Sequence, residues 1–451
     1  MTTRRRRWHL LALLLALALA LVAAGCGGGG DESAGGDTTA ATTEEGSTEE
    51  TTKEAVSGSI NVLAVWTGAE GKAFQAVLDG FKEQNPDVKV SYKAAKDPGQ
   101  VLATSVEGGN PPDVAALPSP GLLRDFAERG ALTPIDFARD GIAENFSQSW
   151  LDLGTVKDKL YGVFFKGANK STVWYNVAAF EDAGIEPPET FEDLQTAAGT
   201  LNSSGLAAYS IGGADGWTLT DLFENIYLRT AGPEKYDQLA SHELPWTDAS
   251  VTEALTEMGK IVGDKDNVAG GVSGALQTDF PTSVTQVFSD PPKAAMVFEG
   301  DFVGGVISSE TKAKPKTGFN VFDFPSLKGS DPAVVGGGDV VAMFQDKPAA
   351  RALIEYLATP EAAEIWAKLG GFSSPNKNVD ESVYPDDITR STASALAQAK
   401  VFRFDLSDLQ PAAFGGDAMF TILQDFVKSP KDVDGTAKKL ERAAAAAYKK
   451  S

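Results

Sequence analysis

Histidine and cysteine carry most nucleophilic, metal-binding and near-neutral proton chemistry, and they are almost missing from this sequence: two His and one Cys among 451 residues. His9 and Cys26 both fall near the start, so His242 is the only imidazole after them. That distribution excludes an intrachain disulfide, a Cys-x-x-Cys redox pair, a Cys-rich zinc site and a multi-His metal centre. A Ser-His-Asp triad could be built only around His242, in Ser241-His242-Glu243-Leu244-Pro245, which suggests no role of its own. No phosphate-cradling P-loop segment is present, and neither a cofactor nor a metal is expected. Carboxylates are plentiful instead, 62 acids against 40 basic residues for a net charge of −22, which disfavours nucleic acid as a partner. Two acids about 5–10 Å apart would serve glycoside hydrolysis, so composition alone leaves that chemistry open. One aromatic stands out: Trp217, in the glycine-rich stretch Gly212-Gly213-Ala214-Asp215-Gly216, is costly to leave in water unless it meets something.

The elements that must hold these residues follow an alternating pattern from Gly58 onward. Ile60 to Val65 reads as a buried strand, and Phe74, Val77, Leu78 and Phe81 follow at helical spacing until Asn85-Pro86. Val88, Val90 and Tyr92 alternate as the next strand, 112–117 reads as a third, and 121–127 as the helix after it. Further strands are predicted at 172–175, 207–211, 294–298, 319–324 and 334–344. Thr190 before Asp193 predicts a capped helix over 191–201, and Thr359-Pro360-Glu361 predicts a helix closed by Gly370-Gly371. This order argues for α/β lobes with mostly parallel sheets, whose ligands lie beyond the carboxyl ends of the strands. The length argues for two such lobes, since single cores stop growing near ~250–300 residues.

The first residues read as an export address. Arg4 to Arg7 form a positive region before the apolar run Leu10 to Val22, which is too short for a permanent span of about 20 residues. The run ends in Leu21-Val22-Ala23-Ala24-Gly25-Cys26, which resembles the bacterial lipoprotein box, where the Cys is lipidated and cleavage falls before it. Residues 1–25 are therefore expected to be a signal peptide and 26–57 a lipidated Cys with a flexible acidic tether. That tether has eight acids and one Lys after Cys26, and too little apolar surface to offset its ordering entropy.

Several ordered blocks make the body similar to a known family, the extracellular solute-binding proteins of ABC-type sugar importers, related to maltose-binding proteins. The blocks are Val65-Trp66-Thr67-Gly68, Gly108-Gly109-Asn110-Pro111-Pro112-Asp113, Val173-Trp174-Tyr175-Asn176 and 294–300, followed by Gly336-Gly337-Gly338-Asp339 and 358–362. The narrower resemblance is to α-glucoside-binding lipoproteins. It implies a periplasmic-binding-protein type II fold, with a ligand cleft between two α/β lobes joined by hinge strands. The first lobe would hold 58–168 and 322–376, the second 169–321 and 377–451.

The same resemblance implies which residues meet the sugar. A sugar has an apolar C–H face and a rim of hydroxyls, so flat rings and carboxylates suit it. Trp66 and Glu70 stand at the end of the first strand and the start of the next helix, and Ala69 replaces an Asp usual in the family. Trp217 falls on a stacking position, and Phe302 where the family has Trp. Glu299 and Asp301 would accept from hydroxyls, Asp339 would face the cleft from the first lobe, and Phe414 would add a further platform. Asn169 would be a polar cleft residue near the hinge, with Lys166 and Lys170 beside it read as solvated. The expected partners are a carbohydrate and membrane permease subunits served by a separate ATPase, with a monomer anchored on the outer face through Cys26. The rival readings are an exported lipid-anchored glycoside hydrolase, or the same fold on a non-sugar solute. An amino-acid ligand would call for an Arg, and Arg124, Arg129 and Arg139 read as helix-surface charges.

Overall fold

The computed structural model describes residues 55–449. The expected signal segment, Cys26 and nearly all of the tether lie outside the described residues. Among those described, no helix is long and apolar enough to cross a membrane.

Among the described residues, twelve strands form two main sheets and a small hairpin. They are β1 Gly58–Ala64, β2 Val88–Ala94, β3 Val114–Leu117, β4 Thr155–Val156, β5 Lys159–Leu160 and β6 Gly162–Asn169, then β7 Thr172–Asn176, β8 Ala207–Ser210, β9 Ala294–Phe298, β10 Phe319–Asp323, β11 Val334–Met343 and β12 Phe402–Phe404. The first sheet runs β12-β11-β3-β1-β2, with β6 also on β11; the second runs β10-β7-β9-β8. β1 pairs in parallel with β2 and β3, β11 with β12, and β8 with β9. β11 is antiparallel to β3 and β6, and β7 to β9 and β10. The sheets are therefore mixed, which corrects the mostly parallel expectation. The cause is the path of the chain: β7 and β11 each enter a sheet from the other one, and so run against strands laid down by local β-α-β units.

Local sequence explains the elements. β3 is Val-Ala-Ala-Leu and buried throughout, as a central strand covered on both faces must be. The helix Gly68–Gln84 buries Gly71, Phe74, Val77, Leu78 and Phe81 on one stripe. Ser119, Thr190 and Thr359 each accept a backbone N–H at a helix start, and Pro120 and Pro360 occupy the first helical position. The core divides along the sheets. Phe74, Trp66, Phe165 and Trp366 lie in one cluster on the first sheet, and Leu63, Phe126 and Phe404 in another. Phe223, Tyr227, Trp246 and Leu423 lie in the largest cluster, around the second sheet, next to a smaller one with Trp174, Phe280 and Phe302.

Three short segments carry the chain between the sheets. Lys170 and Ser171 join β6 to β7, residues 324–333 join β10 to β11, and Asp405 joins β12 to the helix Leu406–Leu409 on the second core. β12 thus sits on the first sheet, although it lies in the stretch 377–451.

His242 has a place of its own here. Its ring stacks on Tyr448 at 4.9 Å, and its Nε2 lies 3.3 Å from both carboxylate oxygens of Glu441. The residue fastens the helix Val433–Tyr448 to the turn after the helix Trp217–Ala240.

Candidate functional site

Two lysines near the end of β6 organise the polar residues between the lobes. Lys166 is 5% exposed, and its Nζ donates to Glu70 Oε1 at 2.7 Å and lies 3.8 Å from Asp339 Oδ2. The same ammonium stands 4.9 Å from the centre of the Phe302 ring, a residue of the second lobe's core. Lys170 donates to Asp221 Oδ1 at 3.1 Å and to Asp405 Oδ2 at 2.5 Å, and lies 5.8 Å from the Trp217 ring centre. Lys166 is buried, Lys170 is largely covered, and both are ion-paired, which corrects their reading as solvated. Burial by itself would pull down the pKa of either ammonium, but the acids beside each outweigh it and hold both raised.

Gly337 explains the glycine run before Asp339. A Cβ there would stand 2.7 Å from Lys170 Cε, so the glycine leaves room for the lysine stem to pass along β11 in its ion-paired position.

The carboxylates divide by their surroundings. Asp405 is pushed up by burial, but Lys170 and hydrogen bonds from its neighbours hold it well below the usual range. Asp221 is pushed up to about 8, by burial first, with Lys170 offsetting part and Asp405 adding to it. Burial, reinforced by neighbouring acids, raises Glu224 and Glu299 well above the usual carboxylate range. Oxygens of Asp221, Glu224 and Asp405 lie within 4.8 Å of one another, and Lys170 supplies the positive charge such a group calls for.

A pH dependence follows. Asp221 binds its proton more tightly folded than unfolded, so its contribution to stability is complete below about pH 4 and is lost as the pH rises towards 8. Asp405 works in the opposite sense and loses its contribution only in strong acid. The Asp221→Asn variant, which imitates the protonated form, should flatten the fall in stability between pH 4 and 8. Urea unfolding across that range checks it, against a slope of at most about 1.4 kcal/mol per pH unit for each proton retained. An unchanged slope would remove Asp221 from this role.

The expected site residues fall into three groups. Glu70, Asp339 and Trp66 meet around Lys166, and Trp66 Nε1–H donates to Asp339 Oδ2 at 2.5 Å. The Trp66 ring itself is 1% exposed, packed among Phe74, Phe165 and Trp366, so it is a core ring that aims Asp339 and not an open platform. Trp217 and Phe302 meet each other and Phe280, with ring centres 5.2–5.9 Å apart. Trp217 is the first residue of the helical stretch Trp217–Ala240, which is broken at Gly232, and is half-buried beside Gly216 at φ 80°. Around Asp301, its Oδ2 accepts the Asn169 N–H at 3.0 Å and the Ser373 hydroxyl, and its Oδ1 has no partner. The Asn169 side chain is turned inward, to Ser171 N–H at 3.0 Å and the Thr392 carbonyl at 3.3 Å. Glu299 Oε1 is likewise buried without a partner.

Phe414 does not join any of these groups. It is fully buried, edge-on to Trp246 at 5.3 Å, in the core of the second lobe. It was expected as a further platform, but the close approach of Gly415 to the Ser407 carbonyl folds that segment inward.

Sequence reading missed Asp221, Glu224, Asn225 and Asp405. The first three had a signal: polar residues spaced at one helical face inside an otherwise apolar run from Trp217 to Leu228. The arrangement as a whole sets rings and unpartnered carboxyl oxygens of the second lobe beside Glu70, Lys166 and Asp339 of the first, a set suited to a hydroxyl-rich molecule.

Comparison with known proteins gives an independent result. A family model described as bacterial extracellular solute-binding protein matches residues 66–364. The osmoprotective compounds-binding protein of Synechocystis sp. is 34% identical, covering 84% of this chain and 90% of its own. The alpha-glucosides-binding periplasmic protein of Rhizobium meliloti is 36% identical, covering 83% of this chain and 85% of its own. Among solved structures, a bacterial solute receptor with a preference for β-D-galactopyranose superposes with a TM-score of 0.77 at 21% identity, covering 87% of this chain and 99% of its own. That likeness establishes the two-lobed α/β fold.

Proposed function

The chain belongs to the bacterial extracellular solute-binding protein family, and from that premise we propose that it captures a small oligosaccharide, an α-glucoside in particular, between its lobes and delivers it to an ABC permease. The observation that carries the ligand class is the gathering of Trp217 and Phe302 with Lys166, Lys170 and the unpartnered carboxyl oxygens of Glu299 and Asp301. Rings suit the apolar face of a sugar and carboxylates accept from its hydroxyls. The name of the 36% identical Rhizobium meliloti relative supports the α-glucoside class. The ligand-facing set in this reading is Glu70, Trp217, Glu299, Asp301, Phe302 and Asp339, with Trp66 and Asn169 as internal supports. The lobe limits expected from the sequence are part of the proposal, with β12 as a segment carried on the first sheet. Closure of the lobes on ligand is the signal that the permease reads.

A thermal-shift panel of glucose, galactose, xylose, maltose, trehalose and sucrose tests the ligand class, with released monosaccharide followed in parallel. Stabilisation by a disaccharide without turnover is the expected result. Turnover that Glu299→Gln abolishes would replace binding by hydrolysis.

Anchoring at the outer face of the membrane, as a monomer held by lipid on Cys26, completes the proposal. The Cys26→Ser variant should leave the membrane fraction and lose incorporation of labelled fatty acid. Retention of both would remove Cys26 from this role.

A further inference from the structure

The helix Trp217–Ala240 carries Asp221, Glu224, Asn225 and Arg229 on one face, all buried. Each grips a segment that crosses between the lobes. At the first crossing, Asp221 Oδ1 accepts from Lys170 Nζ, Asn225 Nδ2 donates to the Lys170 carbonyl at 2.8 Å, and Asn225 Oδ1 accepts the Ser171 hydroxyl at 2.5 Å. At the second, Arg229 Nη2 donates to the Ala333 carbonyl at 2.6 Å, and Ser171 Oγ accepts the Val335 N–H at 2.8 Å, tying two crossings together. At the third, the Glu224 carboxyl accepts the N–H groups of Leu406 and Ser407 at 2.7 and 3.0 Å, just past Asp405.

One unbroken run of helix, ahead of the break at Gly232, therefore begins at Trp217 and holds all three crossings about 6–18 Å further along its axis, at 1.5 Å per residue. We propose that this face is a hinge clamp: Asp221, Glu224, Asn225 and Arg229 are positioning residues that set the open–closed equilibrium of the lobes and link it to capture at Trp217. The inference rests on the reading of the interlobe residues as a ligand site. Its physical basis is that a helix moves as a unit, so a ligand that displaces its first turn displaces the hydrogen bonds that fix the crossings. Buried groups bound to backbone in this way allow few alternative arrangements, because each lost partner is costly.

The test uses Asn225→Ala, which cuts two of the three links to the first crossing and leaves Asp221–Lys170, and Arg229→Lys, which keeps the charge but loses the planar fork. Small-angle scattering of the ligand-free full chain is compared with affinity for maltose, trehalose and sucrose. The expected result for Asn225→Ala is a shifted ligand-free scattering profile and a three- to tenfold rise in Kd carried by the off-rate, with a smaller change in the same direction for Arg229→Lys. Wild-type scattering and wild-type Kd in both variants, with only the melting temperature lowered, would overturn the clamp and leave a structural support. If Asn225→Ala does not fold, Arg229→Lys and Ser171→Ala decide by the same readings. If the wild-type chain binds none of the three sugars, the ligand reading fails, and the ligand-free scattering of the variants still decides the clamp.

Discussion

Replacing Trp217 by alanine is expected to weaken disaccharide binding at least tenfold, about 1.4 kcal/mol or more. The ring is half-buried where the long helix begins, with one neighbour set in Phe280 and Phe302 and Lys170 near its face. A sugar ring laid on it would bury apolar surface on both partners, and alanine leaves nothing to replace that contact. Trp217→Phe keeps a platform and should lose no more than about threefold, ~0.7 kcal/mol. The melting temperature of each variant separates lost packing against Phe280 from lost ligand contact. Equal affinity for wild type and Trp217→Ala would return the residue to a purely structural part.

The largest effect on stability is expected at Lys170. Lys170→Met keeps the stem beside Gly337 but removes the ammonium shared by Asp221 and Asp405. Breaking a buried pair from one side costs about 3–5 kcal/mol, because the remaining charge is left without compensation. The loss should be smaller in acid, where the orphaned carboxyls take up protons and need no partner. Adding Asp405→Asn to Lys170→Met should recover part of it. Urea unfolding at pH 5 and 8 checks all three statements, and a loss below about 1 kcal/mol at pH 8 would mean that the acids had already been neutral.

What the sequence allowed to be read depends on how local the cause is. Thr190, Thr359 and Pro360 cap helices as expected, because capping joins residues three apart. β6, which carries Lys166, was not among the predicted strands, but the others of the main sheets apart from β12 were legible for the same reason, as runs of apolar side chains. Their direction was not: β11 pairs with β3, β6 and β12, and the reversal comes from crossings that join distant parts of the chain.

Burial within the site was the least legible property. Lys166 and Lys170 look like ordinary surface lysines until Glu70, Asp339, Asp221 and Asp405 arrive from far along the sequence. Trp66 and Phe414 show the converse. Each was expected to meet the sugar, and each is enclosed by rings contributed elsewhere, Trp366 for one and Trp246 for the other. His242 had no assignable part because its partners Glu441 and Tyr448 lie about two hundred residues away. The resemblance to a family pointed to positions, and the structure adds what surrounds each of them.

Titration calorimetry with maltose, trehalose and sucrose, run on the wild-type chain and on Trp217→Ala, tests the central claim most directly. Capture of an α-glucoside between the lobes predicts saturable binding of at least one disaccharide to the wild type, and at least tenfold weaker binding to the variant. No heat from any of the sugars, with binding of a peptide or a polyol instead, would contradict the ligand class while leaving the fold in place.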